Sequence, residues 1–197
     1  RGVETQPPDV NISGAKCTVE GSAVRIGLDY VNGIGEDDAQ AVVAERERAG
    51  PFGSVRELAQ RTQLSEHGLE TLIVAGACDC FARPRRELLW QLGLVPRPQT
   101  VPGSAGEEKQ LALPLDPTTE TPTLPEPTVW ERMLADYRTT SLSVGVHPMQ
   151  LLRAHLPAGV LSSRELDGAP NRAQVVVAGM AVARQRPSTA NGVVFML

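Results

Sequence analysis

Two glycines bracket an isoleucine in Val31-Asn32-Gly33-Ile34-Gly35, and the chemistry open to that spacing is the holding of an anion. Lacking a Cβ, Gly33 and Gly35 admit positive φ and let the backbone approach another molecule closely, while Ile34 can plug a groove between two helices. Main-chain amides at the start of the following helix then face outward. Together with the helix dipole they make a site for a negative group, and a DNA phosphate is the anion such hairpins commonly hold. A tight helical connection that binds nothing fits the same residues. Glu36, Asp37 and Asp38 suit the first turn of a helix, yet they repel a phosphate beside the hairpin. Cations that could meet a backbone lie elsewhere. Arg83, Arg85 and Arg86 cluster with only Glu87 nearby, and residues Ala173 to Leu197 contain no acid but do contain Arg184 and Arg186. For Arg83 to Arg86 a solvated charged face is the competing reading.

Other reactive side chains are sparse. Cys78-x-Cys80 has no companion Cys or His pair at zinc-site spacing, so Cys17, Cys78 and Cys80 are expected to be mostly buried thiols. His67, His147 and His155 are scattered and read as helix-surface or capping residues; no metal is expected. A base-excision enzyme would need a lysine or aspartate poised by a base-flipping pocket, and Lys16 and Lys109, the only lysines, do not follow a hairpin.

The charge balance limits how DNA could be met. A net charge of −4 does not suit a chain that coats nucleic acid, because backbone affinity grows with the number of phosphates neutralised. Any contact must be local. The 197 residues, 41% of them apolar, can form one large or two small cores. The longest apolar run, Leu72 to Cys78, is too short to span a bilayer and no signal peptide opens the chain, which predicts a cytoplasmic location and no membrane partner. The chain starts at Arg1, has no methionine before Met133 and ends in the apolar run Val193 to Leu197; a piece of a larger protein is expected.

The elements that must position these residues follow from periodicity. Arg1 to Ser13 read as an entering loop, followed by a β-hairpin of Cys17–Glu20 and Ala23–Leu28 with Val19, Val24 and Ile26 on one face. A helix over about Asp37 to Arg48 places Ala39, Val42, Val43 and Arg46 on one stripe, and Gly50-Pro51 stops it. Ser54-x-x-Glu57 is a capping box opening a helix with Val55, Leu58 and Ala59 inward. A further helix from Ser65 buries Leu69, Leu72 and Ile73 and ends at Gly76, and Leu88, Leu89 and Leu92 mark another; these short helices can share one core. Between Gly93 and Pro127 lie eight of the sixteen prolines, which predicts an extended tether. Thr128-x-x-Glu131 opens a helix expected to bury Trp130, Met133, Leu134 and Tyr137, and Pro148 starts a second. Val175 to Val182 and Val193 to Leu197 read as strands.

The order Val24-Arg25-Ile26-Gly27-Leu28, Val31-Asn32-Gly33-Ile34-Gly35, Gly50-Pro51-Phe52 and Leu72-Ile73-x-Ala75-Gly76-Ala77 resembles the region beyond the catalytic core of bacterial C-family DNA polymerases, the replicative α subunits. Leu134-Ala135-Asp136-Tyr137-Arg138, His147-Pro148-Met149, Val177-Ala178-Gly179 and Arg184-Gln185-Arg186-Pro187 resemble specifically the error-prone, damage-inducible branch. The resemblance covers nearly the whole chain. It implies a mainly α fold with a β portion: an entering loop and β-hairpin (1–28), a tandem helix-hairpin-helix domain (29–92), a proline-rich linker (93–127), a helical connector (128–168) and the first strands of a truncated OB-fold (169–197). An OB-fold binds single strands through basic grooves and stacking aromatics, and only Phe195 is available to stack.

What the resemblance implies for function is a noncatalytic DNA-positioning segment of a lesion-bypass polymerase. The tandem hairpins would grip primer-template duplex phosphates through Asn32, Gly33, Ile34 and Gly35, assisted by His67 and Gly68 of a second pseudo-hairpin, with single-stranded template a further candidate. The family's catalytic carboxylates and their two magnesium ions belong to a palm domain upstream of Arg1; no residue here matches them, and no catalytic, metal or cofactor residue is assigned. Gln110-Leu111-Ala112-Leu113-Pro114-Leu115 resembles the peptides by which bacterial DNA enzymes dock on the sliding clamp: Gln110 at a pocket rim, Leu111, Leu113 and Leu115 in apolar pockets. A leucine-rich stretch that folds back on a neighbouring domain is the alternative. The rival reading of the whole chain is a protein-protein interaction module of a lesion-bypass complex, which the acidic balance supports.

Overall fold

A computed structural model describes residues 3–95, 122–181, 184–185 and 195–196. The chain divides into two units, residues 1–144 and 145–197.

The first unit opens with three short strands, β1 (Glu4–Gln6), β2 (Thr18–Glu20) and β3 (Ala23–Arg25). β3 lies in the middle, antiparallel to β2 with Val19 opposite Val24 and parallel to β1 with Thr5 opposite Val24. The β2–β3 hairpin is the expected one, turned at Gly21 with positive φ. β1 corrects the expectation of an entering loop: its polar residues carry no strand alternation, and it forms because β3 offers an open edge. Arg25 holds all three strands, with its guanidinium on both carboxylate oxygens of Glu20 (2.6 and 2.9 Å) and on Gln6 Oε1. The expected apolar face is incomplete: Ile26 is buried, but Val19 is 78% exposed because the sheet stops at β2 and nothing packs over it.

Helices α1 (Glu36–Ala49), α2 (Val55–Arg61), α3 (Glu66–Val74) and α4 (Arg85–Gly93) follow, preceded by a 3-10 turn at Leu28–Tyr30. Their inward residues Leu28, Val31, Val42, Val55, Leu58, Leu69, Leu72, Ile73 and Leu88 form one buried cluster. Each such side chain contributes about 1.5–3 kcal/mol relative to exposure. The caps follow the sequence. Ser54 Oγ accepts from Glu57 N and Ser65 Oγ from Gly68 N, although Glu57 answers to Gly53 N and not to Ser54 N. α1 ends at Gly50, with positive φ. Arg46, placed by periodicity on the apolar stripe of α1, donates to Val10 O and Ser13 O at 3.0 and 2.9 Å, which fastens the N-terminal segment to the helix. Cys78 is buried, but Cys17 and Cys80 are exposed, which corrects the expectation of mostly buried thiols. Cys17 adjoins the solvent-facing edge strand β2, and Cys80 sits in the exposed 3-10 turn Asp79–Phe81.

α5 (Val129–Thr140) completes this unit and packs on α3. Thr128 and Glu131 form the expected reciprocal capping box. Its orientation is not the expected one: Met133 is buried, but Trp130 and Leu134 are 41% and 44% exposed. Asp136 is half-buried and Thr139 and Thr140 are buried instead, because groups of the helical core hydrogen-bond to that face.

In the second unit Pro148 begins α6 (Pro148–Leu152), and His147 Nδ1 accepts from Met149 N at 3.2 Å. β4 (Val160–Leu161) pairs in parallel with β5 (Val176–Val177), α7 (Ser163–Leu166) lies between them in sequence, and β6 (Arg184–Gln185) pairs antiparallel with β7 (Phe195–Met196). Among the described residues of the long strand expected over Val175 to Val182, only Val176 and Val177 form one, with Val175, Val176 and Val177 exposed and so without the packing that extends a strand. Its partner β4 carries no strand-length apolar pattern of its own. No helix among the described residues is long and apolar enough to cross a membrane.

Candidate nucleic-acid interface

The hairpin forms as its glycines require. The 3-10 turn runs into buried Val31; Ile34 N donates to Val31 O at 3.0 Å, closing a turn through Gly33 at φ +91°, where a side chain would be strained. Gly35 is the N-cap of α1 and offers no side chain to the first-turn amides. Among the described residues neither the Gly33 nor the Gly35 N–H has an acceptor, and both glycines are exposed. Ile34 is 6% exposed and its side chain fills the groove between the two helix starts, while its amide, expected to face a phosphate, is spent on Val31 O. A Cβ on Gly68 would lie 3.6 Å from Ile34 Cδ1 and 3.3 Å from Ser65 Oγ, so Gly68 leaves room for the plug.

The second segment meets the first here. His67, exposed in the first turn of α3, has its Nε2 3.8 Å from the position of a Gly33 Cβ, which places an imidazole donor beside the open amides. Gly68 cannot offer its own amide, since Ser65 takes it at 3.0 Å. Asn32 is also committed. Its N–H donates to Thr139 O at 2.6 Å and its Nδ2 to Arg138 O at 3.1 Å, both at the C-terminal end of α5. Sequence reasoning missed this because the partners are 106 residues apart.

The acids around the hairpin are partly answered. Lys16 Nζ lies 2.9 Å from Asp29 Oδ2 and 3.1 Å from Glu36 Oε1, and hydrogen bonding, first to Asp29 and then to Glu36, raises the Lys16 pKa. Lys16 was overlooked as a member of this site. Asp38 Oδ2 comes within 3.9 Å of the Gly35 Cβ position, so a carboxylate already sits by the start of α1.

The arginine cluster divides. Arg85, with 15% of its side chain exposed, donates to Val74 O at 2.8 Å and pairs with Asp79 at 2.8 Å and Asp136 at 3.3 Å; a Cβ on Gly76 would collide with its guanidinium. Arg86 bonds Glu131 at 2.8 Å and Pro125 O at 3.0 Å. Arg83 is 55% exposed and only loosely paired with Glu87 at 3.8 Å, so of the three it is the one able to turn to a phosphate without breaking a close pair. Burial raises the Asp136 carboxyl pKa and Arg85 opposes it. The clamp-like residues Gln110, Leu111, Leu113 and Leu115 and the cation Arg186 lie outside the described residues. Among the described residues no group of three or more His, Cys, Asp or Glu is arranged to hold a metal ion.

Two exposed glycine amides at an uncapped helix start, a second helix start against them and an apolar plug between define a helix-hairpin-helix architecture, and a family model described as a helix-hairpin-helix motif matches residues 2–88. Beyond that motif, the chain is similar over 99% of its length to proteins named error-prone DNA polymerase: 40% identical to that of Mycolicibacterium paratuberculosis, 38% to that of Anaeromyxobacter dehalogenans and 36% to that of Corynebacterium efficiens. The resemblance implied by the order of motifs is thus shown along the chain. The chain spans 17–18% of the length of these curated relatives.

Proposed function

We propose that this chain is a DNA-positioning and tethering segment of an error-prone DNA polymerase acting in damage-induced synthesis and lesion bypass, and that it performs no catalytic step itself. The observation that carries the reading is the pair of exposed, acceptor-free amides at Gly33 and Gly35, with His67 beside them, in a chain whose relatives are named as DNA polymerases. A duplex phosphate would take these N–H donors and the positive end of α1, with Arg83 as a second contact. Because few cations take part, binding would be modest and local and the salt dependence shallow. Magnesium chemistry and the nucleotidyl transfer it supports are assigned to a polymerase core to which no residue of this chain corresponds. The test is salt-dependent binding of a primer-template duplex by the full chain. Measurable affinity at low salt that falls with a shallow slope supports the reading, and no binding at low salt removes it.

A second reading is carried by α5. Trp130 and Leu134 are four residues apart on one face of the helix and exposed, a surface suited to another protein of the lesion-bypass assembly. Loss of partner capture with retention of duplex on Trp130→Ala would favour it. Clamp docking through Gln110 to Leu115 is a further partner proposal. Titration of a Lys109–Asp116 peptide against purified clamp tests it, and absence of saturation at high micromolar peptide rejects it.

A further inference from the structure

The phosphate-facing hairpin is not held only by its own two helices. Its first polar residue, Asn32, donates its backbone N–H to Thr139 O and its Nδ2 to Arg138 O, in the last turn of a helix that begins almost a hundred residues later. Those carbonyls carry the negative end of the α5 dipole and have no intrahelical donors, so Asn32 satisfies them as an external cap. Ser141, with φ +56°, ends the helix there. One turn back, the half-buried Asp136 meets Arg85, which also holds Val74 O at the end of α3 and Asp79 beyond it. α5 is therefore fastened at two points: its C-terminus to the hairpin itself, and its middle to the far end of the helix whose start abuts that hairpin.

We propose that α5 is a strut that sets the geometry of the DNA-binding hairpin, with Asn32 and Asp136 as positioning residues that touch no DNA. The inference rests on the hairpin reading above. Ordering the Val31–Gly35 turn before DNA arrives removes the cost of fixing it on binding, so release of the strut lowers affinity without removing any phosphate contact. It also gives the polar inward face of α5 a purpose. Asp136 faces inward where an apolar residue would serve stability alone because its carboxylate accepts from Arg85, while Thr139 and Thr140 turn their hydroxyls back on Ala135 O and Asp136 O of their own helix.

The test uses the full chain at a temperature well below unfolding, with folding of each variant verified by circular dichroism. Asn32→Ala, which removes the bond to Arg138 O, and Asp136→Ala, which removes the Arg85 bridge, are each expected to raise the duplex Kd about fivefold. The slope of log K against log salt should stay unchanged, because no cation has left the interface. The Gly33 and Gly35 amide resonances should shift in Asp136→Ala, whose substitution lies far from both in sequence. Asp136→Glu, which keeps the carboxylate, is expected to restore affinity to within about twofold. A purely structural α5 would lower the melting temperature but leave duplex affinity unmoved in both variants and the two glycine resonances unmoved in Asp136→Ala, and that result overturns the proposal. If both alanine variants bind like the parent chain while Gly33→Val abolishes binding, the strut falls and the hairpin reading stands. If the parent chain does not bind duplex at low salt, both fall.

Discussion

The two helix starts that meet around Ile34 are built from the same parts and finished differently. At the start of α3, Ser65 turns its hydroxyl back onto Gly68 N and so satisfies one of the helix's own donors. At the start of α1, Gly35 has no side chain to turn back, and Gly33 beside it holds a positive φ with its amide open to solvent. A capped start contributes to stability and is chemically quiet; an uncapped one forgoes that stabilisation and keeps its donors for another molecule. The difference teaches which half of the tandem motif is placed to grip a backbone: the first hairpin carries the donors, while the second supplies the floor, the Gly68 gap for Ile34 and the imidazole of His67.

The largest expected effect comes from closing that first hairpin. Gly33→Val forces a β-branched residue to φ near +91° and brings it towards the His67 ring, at a cost of about 1–3 kcal/mol. Thermal melts should show the loss, and duplex titration should show a Kd raised about tenfold or more, since the donors no longer point outward. Ser65→Ala is the matching change in the other start. It should cost about 1 kcal/mol of stability by losing the cap while leaving duplex affinity where it was. If Ser65→Ala weakens DNA binding as much as Gly33→Val does, the asymmetry between the two starts is wrong.

The parts of the two starts are legible in the sequence, although their asymmetry is not, since Gly68 reads there as a second phosphate contact until Ser65 is seen to hold its amide. The glycine spacing, the α1 period and the serine and threonine caps are local signals, fixed within four residues of one another, and each appears where the sequence places it. What could not be read depends on long-range partners. β1 is a strand only because β3 lies beside it, and the inward face of α5 follows from Asn32 and Arg85, distant residues that hydrogen-bond to polar positions which periodicity alone assigns to solvent. In the same way Arg85 reads as a free cation beside Arg83 and Arg86 until Asp79 and Asp136 are seen on either side of it.

A smaller effect should follow from giving the first start what the second has. Gly35→Ser fits the extended backbone at that position, φ −75° and ψ 164°, and supplies a hydroxyl acceptor for the open amides of α1. Stability should rise by only a few tenths of a kcal/mol, because glycine is itself a tolerable N-cap. Duplex affinity should fall about twofold to fivefold as the new hydroxyl competes with phosphate for the same donors. A gain in melting temperature with unchanged affinity would mean that the amides of α1 are not the donors DNA uses.

An uncapped helix needs support from somewhere else, and for α1 that support lies in its second half. Glu45 receives Arg48 at 2.7 Å and Arg61 at 3.2 Å, while Arg61 stacks on Phe52 at 4.4 Å and donates to the carbonyls of Glu45 and Gly50. The hydrogen bonds from Arg48, and then from Arg61, hold the Glu45 carboxyl down from 4.5 to about 2. A carboxyl whose pKa is depressed by folding contributes stability that is fully present above its unfolded value and is lost as the pH falls toward its folded value. The contribution of Glu45 is therefore intact at neutral pH and fades between 4.5 and about 2. Glu45→Gln should lower the melting temperature slightly at pH 7 and give a shallower loss of stability across that acid range than the parent chain. Parallel acid-melting curves for the two proteins would show that α1 does not draw its support from this end, and the open start at Gly35 would then need another explanation.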